Sequence, residues 1–164
     1  MSIRLLPINP NPPVTINFFM IYFFTLAKSI SIVEYTYRMS ISRQNLTVII
    51  VTFKSENVIH NCLKSIDKDI KILIIDNSNS YEFKQNIEKK YENVSCILSK
   101  KNSGMGAGNN LGIKNIKTDF AFILNPDVVL EPKCINYLID EAKKLDDFGI
   151  VAPIEVNLDY PNYK

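Results

Sequence analysis

Residues 46–53, Leu-Thr-Val-Ile-Ile-Val-Thr-Phe, form an unbroken run of β-branched and apolar side chains. A strand with one wet face alternates apolar and polar residues. A continuous run therefore marks a strand covered on both sides, as in a parallel sheet. Comparable runs recur at 70–75, 94–98 and 119–124, with amphipathic segments between them. After Ser55, a residue able to cap a helix, Val58, Ile59, Cys62, Leu63 and Ile66 recur at helical spacing. Phe83, Ile87 and Tyr91 define a second helix, and a third is expected from about Ala107 to Ile116. A fourth has Pro132 in its first turn and Cys134, Ile135, Leu138, Ile139, Ala142 and Leu145 facing inward. Residues 149–152 read as a fifth strand, and the tail from Pro153 carries no strong pattern. This alternation predicts an α/β fold with a mainly parallel, doubly wound, Rossmann-like sheet.

Composition excludes some functions. A net charge of +2, with lysines scattered rather than striped, argues against a nucleic-acid partner. Cys62, Cys96 and Cys134 are an odd, widely spaced set with no CxxC pair, which fits neither a disulfide framework nor a zinc site. They suit a reducing, cytoplasmic compartment, with Cys62 and Cys134 as small core residues. Residues 1–45 differ in character and read as an N-terminal extension. The Asn9-Pro10-Asn11-Pro12-Pro13 stretch bars helix and central strand. Residues 14–33 are long enough for a membrane anchor, although Lys28 inside the span costs about 2.5–3.5 kcal/mol. A signal peptide fits less well, since no small-x-small cleavage site follows. The preferred reading is a natural start at Met39, with residues 1–38 an upstream extension.

In doubly wound sheets ligands bind outside the carboxyl ends of the strands. Those ends here are polar: Thr52-Phe53, Asp76-Asn77 and Asn125-Pro126-Asp127. The glycine-rich stretch 99–108 reads as a loop. It is neither a dinucleotide fingerprint, which follows the first strand, nor a P-loop, which needs Gly-Lys-Ser/Thr. His60 is a boundary residue with no partner histidine. Lys100-Lys101 reads as a solvated pair, and Asp140, Glu141, Asp146 and Asp147 as a solvated acidic face.

Four segments in order then carry a resemblance. They are Val-Thr-Phe-Lys-Ser-Glu at 51–56, Ile-Asp-Asn-Ser at 75–78, Asn-Ser-Gly-Met-Gly-Ala-Gly-Asn-Asn-Leu-Gly at 102–112, and Leu-Asn-Pro-Asp-Val at 124–128. Together they resemble the family 2 glycosyltransferases, inverting enzymes of the GT-A fold, over roughly residues 46–153. The last segment looks most like bacterial rhamnosyltransferases. The resemblance implies that residues 46–164 are the nucleotide-sugar-binding part of such a domain, incomplete at the C-terminus. It assigns Thr52, Phe53 and Glu56 to a nucleotide cradle and Asp76 to the base, where a carboxylate suits the N3–H of uracil or thymine. Taken alone, Asp76 reads more readily as a turn residue capping a strand, and the four segments together reverse that preference.

Gly104 and Gly106 would let backbone approach the donor, and Asn109 and Asn110 would hydrogen-bond sugar or phosphate or simply face solvent. Asn125 and Asp127 occupy the place of the family's Asp-x-Asp metal motif. Asp127 would hold Mg²⁺ or Mn²⁺, and Asn125 would supply a neutral oxygen, so that the cation arrives largely with the diphosphate.

The implied activity is transfer of a sugar from a UDP- or dTDP-linked donor to an acceptor hydroxyl, with inversion. The acceptor would be a glycan or lipid-linked glycan in cell-surface polysaccharide synthesis, with peripheral association at the inner membrane face. The family's catalytic base lies downstream of the metal motif, and no residue here is nominated for it. The alternative is a truncated remnant that binds nucleotide-sugar without turnover. A nucleotidyltransferase would want a basic, Gly-rich loop after the first strand, and Phe53-Lys54-Ser55 is not one.

Overall fold

The computed structural model describes residues 41–145 and 149–151. The readings of residues 1–38, of the tail from Pro153, and of Asp146 and Asp147 lie outside these. The described chain runs β1 (Leu46–Thr52), α1 (Ile59–Ser65), β2 (Lys71–Asp76), α2 (Tyr81–Lys90), β3 (Val94–Leu98), α3 (Gly104–Asn115), β4 (Phe120–Leu124) and α4 (Cys134–Ala142). The four strands pair in parallel in the order β3-β2-β1-β4. The chain thus steps outward in one direction through β3 and then returns to the other side of β1. That reversal makes a topological switch point between β1 and β4.

The β-branched runs form these strands because both faces are covered. On one face Val48, Ile50, Ile72, Ile74, Cys96 and Phe122 share a core with residues of α1, α2 and α4. On the other, Ile49, Ala121 and Ile123 pack with Ile113 of α3 and Ile116, the residue that caps its C-terminus. Helix α3 sits unusually close to the sheet. A Cβ at Gly108 would lie 2.7 Å from Val51 Cγ1, and one at Gly112 would lie 2.6 Å from Ile49 Cγ2. Any side chain at these two positions would push the helix outward. At the opposite edge Arg43 anchors the lead-in to β1, donating to Asp67 and Asp69 before β2 and to Asn136 of α4.

Several expectations need correction. The glycine-rich stretch is not a loop through residue 108, because α3 already begins at Gly104. The glycines lower helix propensity, but the gain from close seating on β1 outweighs that local cost. Ser55 does not cap α1 with its side chain. That helix begins at Ile59 with Val58 as N-cap, and the Ser55 hydroxyl turns back to the Phe53 carbonyl instead. The Ser55 carbonyl accepts from Val58 and Ile59, forming the turn that leads in. Pro132 precedes α4 rather than opening it, and Leu145 is exposed. Gly149, Ile150 and Val151 are not in a strand, and Ala152 lies outside the described residues.

Candidate functional site: the carboxyl edge of the sheet

Because all four strands are parallel, Thr52, Asp76 and the Asn125-Pro126-Asp127 turn emerge on the same edge. With neighbouring strands about 4.8 Å apart, the β2 and β4 tips are separated by roughly 10 Å, with Thr52 between them. The three sequence motifs are therefore brought to one edge of the sheet, on either side of β1.

The β2 tip is a closed hydrogen-bond system. Asp76 is 1% exposed. Its Oδ1 accepts from Thr52 Oγ1 at 3.0 Å and from the Ser78 amide at 3.1 Å, and its Oδ2 accepts from the Ser80 amide at 2.9 Å. The Ser80 hydroxyl then accepts from the Phe83 amide and caps α2. One carboxylate thus ties β1, the β2 turn and the start of α2 together. Lys54, in a left-handed conformation at φ 52°, donates its amide to Ser78 Oγ and locks the β1 turn to the β2 turn.

The neighbouring Asn77 was not singled out from sequence. It is 5% exposed, its backbone amide donates to the Thr52 carbonyl at 2.8 Å, and its Nδ2 donates to the Gly104 carbonyl at 3.2 Å. Its Oδ1 is shielded from solvent and has no partner. A buried acceptor left unpaired costs about 1–3 kcal/mol, so it calls for a donor. An Asp-Asn pair at a strand end was visible in the sequence, but which of the two keeps a spare acceptor depends on the three-dimensional turn.

Phe53 presents a ring 50% exposed at the β1 tip, with Lys54 Nζ 5.6 Å from its centroid. Glu56 lies instead beside a cavity of about 240 Å³ between α1 and α2, with His60, Ser80, Glu82 and Phe83 among its walls. His60 stacks on Tyr91 and shares a 3.1 Å hydrogen bond with its hydroxyl. Burial, then the charges of Lys90 and Lys64, hold the imidazole below its ordinary pKa. Gly104 and Gly106 lie in the first turn of α3 with open space where a Cβ would stand. Asn109 is half-buried, with its Oδ1 shielded and unpartnered, whereas Asn110 is exposed.

The β4 tip is more open to solvent. Asn125 and Pro126 are half-buried and Asp127 is exposed. The Asn125 carbonyl accepts from the Cys62 thiol at 3.6 Å. Burial pushes that thiol up to about 12, with the charge of Asp127 adding to the effect. Cys96 is likewise raised to about 12, mainly by burial, so both thiols are inert packing groups. Among the described residues no three His, Cys, Asp or Glu side chains converge as a metal site. One carboxylate and one carboxamide are hard-oxygen donors of the kind Mg²⁺ or Mn²⁺ accepts, in a number that fits a cation held chiefly by substrate phosphates. Asp140 and Glu141 pair with Lys143 and Lys144 on the surface of α4, as a solvated face does.

A doubly wound parallel sheet with polar residues at its carboxyl edge defines a Rossmann-like α/β domain. The model of Glycosyl transferase family 2 matches residues 47–163, and the chain belongs to that family of sugar-transferring enzymes. The low-salt glycan biosynthesis hexosyltransferase Agl10 of Haloferax volcanii is 29% identical over 119 residues, covering 69% of this chain and 37% of that protein. A teichoic acid poly(glycerol phosphate) polymerase of Staphylococcus epidermidis is 26% identical over 117 residues, covering 66% and 16%. Among solved structures, the Pyrobaculum calidifontis mannosyltransferase PcManGT, in complex with GDP-Man and Mn²⁺, superimposes with a TM-score of 0.54. It is 15% identical, over 65% of this chain and 33% of that one. S. aureus TarS gives 0.51 at 23% identity, over 59% and 32%. Both show the shared fold. The chain spans about a third of the length of Agl10 and of these two structures. No helix among the described residues is long and apolar enough to cross a membrane.

Proposed function

We propose that the crevice binds a nucleoside-diphosphate sugar, with the base at the β1 and β2 tips and the diphosphate at the β4 tip. The sugar then passes, with inversion, to a hydroxyl of a glycan or lipid-linked glycan, in cell-surface glycan synthesis. The observation that carries this reading is the unpaired Asn77 Oδ1, buried at the β2 tip, with the exposed Phe53 ring at the end of the neighbouring β1. An acceptor oxygen beside an aromatic surface suits a base that offers an N–H and a π-face, as uracil and thymine do. Asp76, buried and accepting three hydrogen bonds within the protein, then acts as the frame of the pocket, and Asn77 takes the base contact that the family resemblance implies for Asp76.

At the other end, Asp127 and the Asn125 oxygen would hold Mg²⁺ or Mn²⁺ together with the diphosphate. The cation, when bound, supplies positive charge against the negative charge gathering on the leaving group. Thr52, buried and bonded to Asp76, fixes the spacing between the two ends. No described residue is assigned as the base that receives the acceptor's proton. Names of relatives that make glycans and teichoic acid support a cell-surface product, while rhamnose as the sugar rests on the Asn-Pro-Asp-Val segment alone. Isothermal titration of the 164-residue chain with UDP and dTDP, each with Mn²⁺ or Mg²⁺, tests the reading. Saturable binding of at least one is expected, and a folded protein that binds neither would overturn it.

A further inference from the structure

Residues 125–133, between β4 and α4, form neither helix nor strand, and Asp127 lies among them. A carboxylate on such a segment keeps a fixed bearing only when the segment is tied to a rigid element. Here the ties come from α1. At the near end the Asn125 carbonyl accepts from the Cys62 thiol at 3.6 Å and from the Val128 amide at 3.3 Å, the second bond closing a turn over Pro126 and Asp127. At the far end the Leu130 amide donates to Ser65 Oγ at 3.0 Å. Val128 is buried, and Leu130 packs against the same core. Asp127, on the stretch between the two ties, remains exposed.

The two ties are unequal. A thiol is a weak donor, and its contact is long, whereas an amide donating to a hydroxyl oxygen at 3.0 Å is an ordinary hydrogen bond. The Ser65 hydroxyl is also fixed in direction. Its own proton goes to the Cys62 carbonyl at 2.7 Å, which leaves a lone pair for Leu130. Cys62 and Ser65 are three residues apart and share a face of α1, with a helical rise of about 4.5 Å between them. Residues 125 to 130 could span roughly 17 Å if extended. Held to two such close points, they form an arch, with Val128 turned inward and Asp127 outside.

We infer that Ser65 is a positioning residue for the cation end of the site: by holding the Leu130 amide against α1 it fixes the arch, and with it the bearing of the Asp127 carboxylate. The inference rests on the nucleotide-sugar reading above and adds to it a residue that touches neither nucleotide nor cation. Without the hydroxyl the Leu130 amide loses that partner, and the arch keeps the weaker thiol contact and the packing of Val128 and Leu130. The carboxylate then samples more directions and meets the cation less often. Removal of the carboxylate itself sets the upper bound on the effect.

The test uses the whole chain and titrates a nucleoside diphosphate with Mn²⁺ against its nucleoside: UDP against uridine or, where dTDP binds more tightly, dTDP against thymidine. Ser65→Ala should weaken the diphosphate about threefold and leave the nucleoside unchanged. Ser65→Cys, close to serine in shape but a weak acceptor, should show the same pattern and guards against an effect of lost volume. Ser65→Thr, which keeps the hydroxyl, should restore wild-type affinity. In an Asp127→Ala background Ser65→Ala should cost nothing further, because the group it positions is gone. Retained nucleoside binding reports that each variant is folded. Equal losses for diphosphate and nucleoside, an unchanged diphosphate affinity, or the full further loss in the double variant overturns the inference and leaves the nucleotide-sugar reading standing. A wild type whose diphosphate binding is absent, or indifferent to Mn²⁺, removes the reading of the β4 tip and the inference with it.

Discussion

The tips of β2 and β4 stand two strands apart on one edge, and they differ in how much of their chemistry serves the fold. At the β2 tip Asp76 is buried and accepts three hydrogen bonds, and the adjoining Ser78, Ser80 and Lys54 are bound into the same system. At the β4 tip Asp127 is exposed, and the Asn125 carbonyl accepts from the Cys62 thiol and the Val128 amide. On the proposed reading the motif carboxylate serves the architecture, and the base contact falls to its neighbour. A base pocket gains from being shaped in advance, since preorganisation lowers the ordering cost of binding. A diphosphate that brings its own cation asks less of the protein.

Four substitutions sharpen or break that contrast. Asp76→Ala should have the largest effect, destabilising the domain by about 2–4 kcal/mol, because two amides and the Thr52 hydroxyl lose a buried partner. Urea unfolding measures it, and a loss near zero would return Asp76 to the pool of ligand contacts. Asn77→Ala should weaken UDP and uridine by the same factor, about tenfold, since the base contact is common to both. A titration in which only UDP suffers would place Asn77 at the phosphates. Asp127→Ala should cost about fivefold for UDP with Mn²⁺ and nothing for uridine, with stability changed by less than about 0.5 kcal/mol. Equal losses for both ligands would make the β4 tip as structural as the β2 tip. Gly106→Ala should raise stability by about 0.5–1 kcal/mol, as the new methyl meets open space on a helix. Weaker nucleotide binding in that variant would show that the ligand approaches α3 at its first turn.

The sheet was legible because burial on both faces leaves an unbroken apolar signal. Residues 94–98 match β3 end to end, and the other strands shift by a single residue at one or both ends. The start of α3 was not legible. Gly104 and Gly106 read locally as loop although they form the first turn of α3, whereas Gly108 and Gly112, already inside the expected helix, are demanded by Val51 and Ile49, residues more than fifty positions away. Ser55 misled for a similar reason, since its hydroxyl found the Phe53 carbonyl before it could cap α1. In the crevice, the gathering of Thr52, Asp76 and Asn125 on one edge followed from the parallel pattern alone. The proposed division of labour between Asp76 and Asn77 did not, because it rests on which side-chain oxygens the turn pairs.

The tight seat of α3 has a consequence for how such a chain can change. Val51 and Gly108 occupy what is in effect one shared volume, as do Ile49 and Gly112. Substitutions there should be tolerated in pairs more readily than singly: a methyl gained on the helix is accommodated when the strand gives up one of its own. Val51 is also the last residue before Thr52, so evolution can slide or tilt the helix only by also disturbing the floor of the crevice.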